Sequence, residues 1–195
     1  MTDTPLSLRL AAAASRPDAV TAFTLARQAF IEGRRVEMQE LAAGLGVNRA
    51  TLFRWVGGRD ELLAEVIWSV AEPTFAAAVT AARGTGGQRV ASAVGGFAVA
   101  AHESTFFVSF VQREPERALR ILTTRASAFQ NRLIDLVERL LNEEIEAGRL
   151  DPPLPVRDLA IVVVRISETF MYLDMITGDT PDVSKVEQAV AALLR

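Results

Sequence analysis

Arg49, Thr51, Arg54 and Arg59 are side chains whose types and spacing suit a definite chemistry, contact with a phosphate-bearing duplex. A guanidinium fork pairs bidentately with a phosphate or with the acceptor edge of guanine, and a hydroxyl group completes such a set. Phe53 and Trp55 lie among them. Catalysis has much less to draw on. The chain has one histidine, His102, and no cysteine, with neither a glycine-rich phosphate loop nor a nucleophile motif. His102 has no companion ligands near it in sequence and reads as a packed or hydrogen-bonded residue. No catalytic residue, metal site or cofactor is expected.

Such a set works only if a short helix presents it, and residues 41–56, LAAGLGVNRATLFRWV, have the pattern of a helix-turn-helix. Two helices crossing steeply need a small residue where their backbones touch, which suits Ala42, and one tolerant of positive φ at the turn, which suits Gly46. Leu41, Leu45, Val47, Leu52 and Trp55 supply the apolar positions. Asn48 fits the N-cap of the second helix, its side chain accepting from a free backbone N–H of the first turn. Arg49, Ala50, Thr51 and Arg54 then point outward, and this helix is expected to enter a DNA major groove. A buried helical hairpin would share the apolar spacing, but it would not gather Arg49, Arg54 and Arg59 around one exposed edge. Phe53 and Trp55 stay open between core packing and phosphate contact.

The 195 residues, half of them hydrophobic, can bury a substantial core in one or two domains. A net charge of −3 is not that of a nonspecific polyanion binder. Residues 1–60 hold eight arginines against six acids, and 61–195 hold thirteen basic against eighteen acidic residues. The anion-binding end is therefore the N-terminal one, and so small an excess makes binding depend on fitted contacts and on duplication of the domain. The most apolar run, 159–164, is bounded by Asp158 and Arg165, far short of the roughly eighteen residues of a membrane span. Residues 6–14 are apolar, but Asp3 precedes them and Arg9 interrupts them, unlike a secretory signal. Without cysteine, disulfides and thiolate metal sites are excluded, and a cytoplasmic location is expected.

Apolar residues recur at three and four along nearly the whole chain, and no segment alternates as a half-buried strand does, so an all-α fold follows. Ser15 and Asp18 have capping-box spacing with Pro17 inside the first turn, after which Ala19, Phe23, Ala26 and Phe30 form a face ending near Gly33. A helix opening at 57–60 carries Leu62, Leu63, Val66, Ile67 and Val70 toward Pro73, with 75–82 extending it. Residues 84–87 read as a loop, 90–101 as a helix rich in small residues, and 105–112 as a short aromatic helix closed by Pro115. A long helical region spans 116–147, with a break near Thr123, and Gly148 and the following prolines stop it. The helix over 156–177 has two apolar stripes and needs two partners. With the last helix, 183–194, it is expected to meet its copy in a four-helix bundle, giving a homodimer.

On these residues the sequence resembles the TetR family of one-component transcriptional regulators, most strongly over 17–70. The resemblance implies a TetR-like architecture: an N-terminal three-helix helix-turn-helix domain, 1–60, a connecting fourth helix at about 59–82, and a C-terminal effector-binding and dimerisation bundle, 61–195. It implies that Gln39 faces DNA from the second helix and that Arg49, Ala50 and Thr51 read bases and phosphates. Phe53 and Trp55 match the paired aromatics near the end of the recognition helix, and Arg59 a phosphate contact where lysine is usual. Phe53 departs from the customary tyrosine and lacks its hydroxyl. Glu37 stands where a threonine commonly caps the second helix; a carboxylate can cap it and suits its dipole, yet repels phosphate. The stretch 46–63 also resembles a branch linked to quorum-signal metabolism, which implies lactone-like effectors.

Candidates to line the effector cavity are Trp68, Phe97, Phe106, Phe107, Phe110, Phe129, Phe170, Met171 and Tyr172, with His102, Thr124, Arg125, Asn131 or Glu168 for polar contacts. The same side chains are also the ordinary filling of a helical bundle. As a group they favour a largely apolar effector, and Arg125 and Glu168 stand out because ionised groups on apolar helices need partners if buried. The reading that follows is a repressor on double-stranded operator DNA, its two recognition helices about 34–36 Å apart. Release comes when the effector favours a conformation in which the fourth helix tilts the reading heads apart. The alternatives are a helix-turn-helix DNA-binding protein with no small-molecule sensing, and a helical-bundle enzyme.

Overall fold

The computed structural model describes residue 4 and residues 17–195, and among these it has eleven helices and no strand. Helix α1 (Ala19–Ile31) starts at Asp18, whose carboxylate accepts the Thr21 N–H at 2.8 Å and the Thr21 hydroxyl at 2.9 Å. Asp18 is thus the N-cap, and Pro17 precedes the helix instead of lying in its first turn; Ser15 falls outside the described residues. Helices α2 (Met38–Gly44) and α3 (Arg49–Val56) are joined by a turn in which Gly46 takes φ 66°, a conformation glycine adopts without steric cost. Ala22, Ala42, Leu45 and Leu52 are buried where these three helices meet.

Helix α4 (Arg59–Ala81) continues through Pro73 as one element. It is, among the described residues, the one single helix long and apolar enough by length and composition to cross a membrane. Counting consecutive apolar residues misses it because Glu65 and Glu72 interrupt the run, and here its Leu62, Leu63, Val66, Ile67 and Phe75 are buried in the protein's own cores. Helices α5 (Gly87–Glu103) and α6 (Thr105–Arg113) meet at a 72° bend at Ser104, whose hydroxyl caps α6. Two helices, α7 (Pro115–Thr123) and α8 (Phe129–Glu146), occupy the long region expected over 116–147. The chain turns between them on Ser127, which donates to the Ile121 carbonyl and accepts the Phe129 N–H.

Helix α9 (Val156–Met171) ends earlier than the apolar pattern predicts. Tyr172 leaves helical geometry at φ −117°, ψ 24°, and a single turn, α10 (Leu173–Ile176), follows before α11 (Ser184–Leu193). One core gathers α5, α8, α9 and α11 with Phe75 of α4. A second joins Ala26, Ala29 and Phe30 of α1 to the first half of α4 and to Phe110, Val111, Ile121 and Leu122 of α6 and α7. The helix-turn-helix therefore rests on the rest of the chain through shared apolar packing. A buried carboxylate braces the far end: Glu144 accepts from Arg89, Arg149 and the Gly86 N–H at 2.6 to 2.9 Å. The Arg149 bonds lead in holding its carboxyl down to about 2 against the penalty of burial.

Candidate nucleic-acid interface and internal cavity

Helix α3 is fastened at its start by Asn48, whose Oδ1 accepts the Thr51 N–H at 2.8 Å, and along its inner face by fully buried Leu52. This leaves Asn48, Arg49, Ala50, Phe53 and Arg54 exposed, with Thr51 and Trp55 half-buried. Neither Arg49 nor Arg54 is in an ion pair with a described residue, so both guanidinium charges are open to an anion. Arg54 donates to the Thr51 hydroxyl at 3.3 Å. Phe53 is 60% exposed, forgoing much of the ~1.5–3 kcal/mol that full burial of such a side chain contributes. Trp55 instead packs against the core of the helix-turn-helix, so the two aromatics face opposite ways. Gln39 is exposed on the first turn of α2. Glu37 occupies the N-cap position of α2 but makes no side-chain cap bond; its carboxylate pairs with Arg35 at 2.7 Å.

Arg59 stands apart from the expected phosphate contact. Its guanidinium donates to both carboxylate oxygens of Glu114, at 2.5 and 2.6 Å, and its Nε–H to the Val36 carbonyl. With only 12% of its side chain exposed, it is not available to a phosphate in this conformation. Arg117 also pairs with Glu114, and Asp60 pairs with Arg117 at 2.7 Å and with Arg120. These charges tie the elbow between α3 and α4 to the α6–α7 junction. The Arg59 hydrogen bonds hold the Glu114 carboxyl down to about 2. Sequence reasoning missed this cluster because Arg59 and Glu114 lie 55 residues apart, and nothing local marks them as partners.

An internal cavity with about 80 Å³ of room for the centres of water-sized molecules opens among α4, α5, α6, α8 and α9. Phe97, Phe106, Phe107, Phe129, Glu168, Met171 and Tyr172 line it. Other candidates lie elsewhere. Trp68 packs edge-on against Phe129, 5.8 Å between centroids, with the Arg132 guanidinium 5.6 Å from its ring centre. Phe110 packs on Phe30 in the second core, and Phe170 against the first. Arg125, Thr124 and Asn131 are exposed, and exposed His102 borders a second, adjoining space lined by Phe107, Met171 and Tyr172. The hydroxyl residues Thr74, Ser104 and Ser167 also line the main cavity. Periodicity does not find them, because small polar residues on an apolar face read as interruptions. Glu168 is 8% exposed and bonds Arg165 at 2.6 Å; burial nonetheless raises its carboxyl above the ordinary value. Burial likewise raises the Tyr172 phenol, which stays protonated and able to donate.

Residues 85–195 match the family of tetracyclin repressor-like C-terminal domains. The whole fold is similar to that of the R. erythropolis transcriptional repressor QsdR, of the TetR family, at a TM-score of 0.82 and 26% identity, covering 90% of this chain and 93% of that one. The TetR family regulator PfmR of Thermus thermophilus is matched at a TM-score of 0.43 and 19% identity, over 89% of this chain and 96% of that one. No curated protein matches the chain. With its C-terminal bundle inside that family and a helix-turn-helix ahead of it, the chain belongs to the TetR family of DNA-binding transcriptional regulators.

Proposed function

We propose that the protein is a homodimeric repressor that holds a near-palindromic operator through α3 and leaves it when a largely apolar small molecule fills the internal cavity. The observation that carries this reading is the path of α4. It opens at Arg59, directly after the recognition helix, and reaches the cavity wall at Ile67, Val70 and Thr74. One packed element thus borders both sites, and a ligand that prefers one setting of α4 must change DNA affinity by the same factor that DNA changes its own.

On the DNA side, Arg49, Ala50, Thr51 and Arg54 would meet base edges and phosphates, with Gln39, Asn48 and Phe53 at the rim and Trp55 holding the helix in place. Exposed Ile161 and Val162 on α9 and Leu193 on α11 support pairing through the last two long helices. The segments that follow are a DNA-binding unit, 1–60, and a sensing and dimerisation unit, 61–195. Likeness to a protein described as a repressor favours repression over activation.

The test selects genomic fragments retained by the full-length protein, reads their common sequence and measures how many chains each site binds. A shared palindrome with two chains supports the proposal; retention without a common sequence, or one chain per site, overturns it. If small-molecule extracts of the source cells never alter retention, sensing falls and an unliganded DNA binder remains.

A further inference from the structure

The cavity walls are apolar except for a few hydroxyls and one polar end, where Ser167, Glu168 and Tyr172 stand together at the close of α9. Two features of that end are unfinished. Only Oε2 of Glu168 is bonded, to Arg165, which leaves Oε1 without a donor. The Tyr172 phenol, 5% exposed and within electrostatic reach of Glu168, makes no hydrogen bond. Gln130 of α8, 4% exposed, lies beside Glu168 and eases its charge, but it does not line the cavity. Polar groups in such an enclosed setting are almost always satisfied, so the two on the cavity wall, Oε1 of Glu168 and the Tyr172 phenol, mark places for a ligand's own polar atoms.

Charge narrows the choice. Glu168 is the one charged residue among the described residues lining the cavity. Arg165 already neutralises it at 2.6 Å, and is itself anchored to the Thr123 carbonyl at 2.9 Å. An ammonium head would face that guanidinium, and a carboxylate head would face the Glu168 charge with no free cation to receive it. A ligand without a head would leave the Tyr172 phenol and Oε1 of Glu168 as they are, unpaired.

We infer that the cavity takes an uncharged amphiphile whose head offers both a hydrogen-bond donor, for Oε1 of Glu168, and an acceptor, for the Tyr172 phenol, as a primary or secondary amide does. Its apolar body lies toward Phe97, Phe106 and Phe107. This assignment rests on the reading of the cavity as the sensing site and specifies the chemistry of what is sensed.

The probes are four heads, each at hexyl and decyl length so that a misfit of length is not read as rejection of the head. They are the carboxamide, its N,N-dimethyl derivative, the carboxylate and the amine, scored on the full-length protein by thermal melting and by calorimetric titration. The carboxamide is expected to bind at least tenfold more tightly than the other three. Tyr172→Phe, which removes only an unbonded hydroxyl and so spares folding, is expected to weaken the carboxamide about tenfold. Glu168→Gln is expected to admit the carboxylate at least threefold better than the native protein does. Equal or tighter binding of the amine or the carboxylate to the native protein overturns the assignment, as does unchanged carboxamide affinity in Tyr172→Phe. If all four heads bind alike, only the head-group assignment falls and the cavity remains a receptor. If none binds while operator fragments are still retained, the sensing reading falls with it.

Discussion

The guanidinium of Arg59 grips both carboxylate oxygens of Glu114, at 2.5 and 2.6 Å, with the two side chains only 12% and 11% exposed. One partner opens α4 immediately after the recognition helix; the other stands between α6 and α7, whose Phe106, Phe107 and Leu122 face the cavity. A bidentate pair fixes orientation as well as distance. Under the proposed function, this pair is the contact through which a shift of α6 and α7 would reach the elbow that carries α3.

Because Arg59 is committed to Glu114, Arg59→Ala is expected to leave the slope of log K against log salt unchanged on a nonspecific duplex. Arg54→Ala, which removes an exposed and unpaired charge, is expected to flatten that slope by about one. Anisotropy titrations over a range of salt concentrations check both. A flattened slope in Arg59→Ala would put that residue on the phosphate backbone.

Arg49→Ala and Thr51→Ala are expected to relax sequence preference, each by about 1–3 kcal/mol at the base pair it faces. Competition among single-base variants of the selected operator measures this. A loss of the same size on every duplex would assign either residue to phosphate alone.

Acid should loosen the Arg59–Glu114 pair. The Glu114 carboxyl is lowered from 4.5 to about 2, first by its hydrogen bonds from Arg59. A value depressed in the folded state means that this stabilisation is complete above about pH 4.5 and is lost as pH falls through that value toward 2. Glu114→Gln is thus expected to be less stable than the native protein by about 1–3 kcal/mol near neutrality, with the gap narrowing on acidification. Urea unfolding at neutral pH and at about pH 3 checks the trend, while Glu144, unchanged in both proteins, keeps its own acid sensitivity. A gap that does not narrow contradicts it.

Two adjacent glycines of α5 should respond oppositely to alanine. A Cβ on Gly95 would stand 2.6 Å from the Glu187 Cβ and 3.2 Å from its Cα, whereas one on Gly96 meets nothing closer than 3.7 Å. Gly95→Ala is expected to cost about 1–3 kcal/mol by forcing α11 away. Gly96→Ala is expected to be neutral or to stabilise by up to about 1 kcal/mol through helix propensity. Thermal melts of the two variants decide it, and equal melting temperatures would mean that α11 does not lie against Gly95.

The recognition segment is readable in the chain itself because its determinants are local. Asn48 caps the helix that begins next to it, Gly46 takes the positive φ its turn requires, and Ala42 and Leu52 fill the contact between neighbouring helices. Helix content follows from periodicity in the same way, since a backbone hydrogen bond spans four residues and an apolar face repeats within each turn. What periodicity reports, however, is that a face is buried, not what it is buried against. Phe106 and Phe110 share one turn of α6, yet the first lines the cavity and the second packs against Phe30 in the second core.

Residues 17–195, read in order, thus determine the helices, their caps and the exposed arginines of α3. Only the tertiary structure decides that Arg59 meets Glu114 instead of facing outward, that Tyr172 breaks α9, and that Glu168 and Tyr172 end up together on the cavity wall. Each of these depends on how several helices cross. Crossing geometry is set by the interlocking of side chains across the whole core, information that no single stretch of sequence contains.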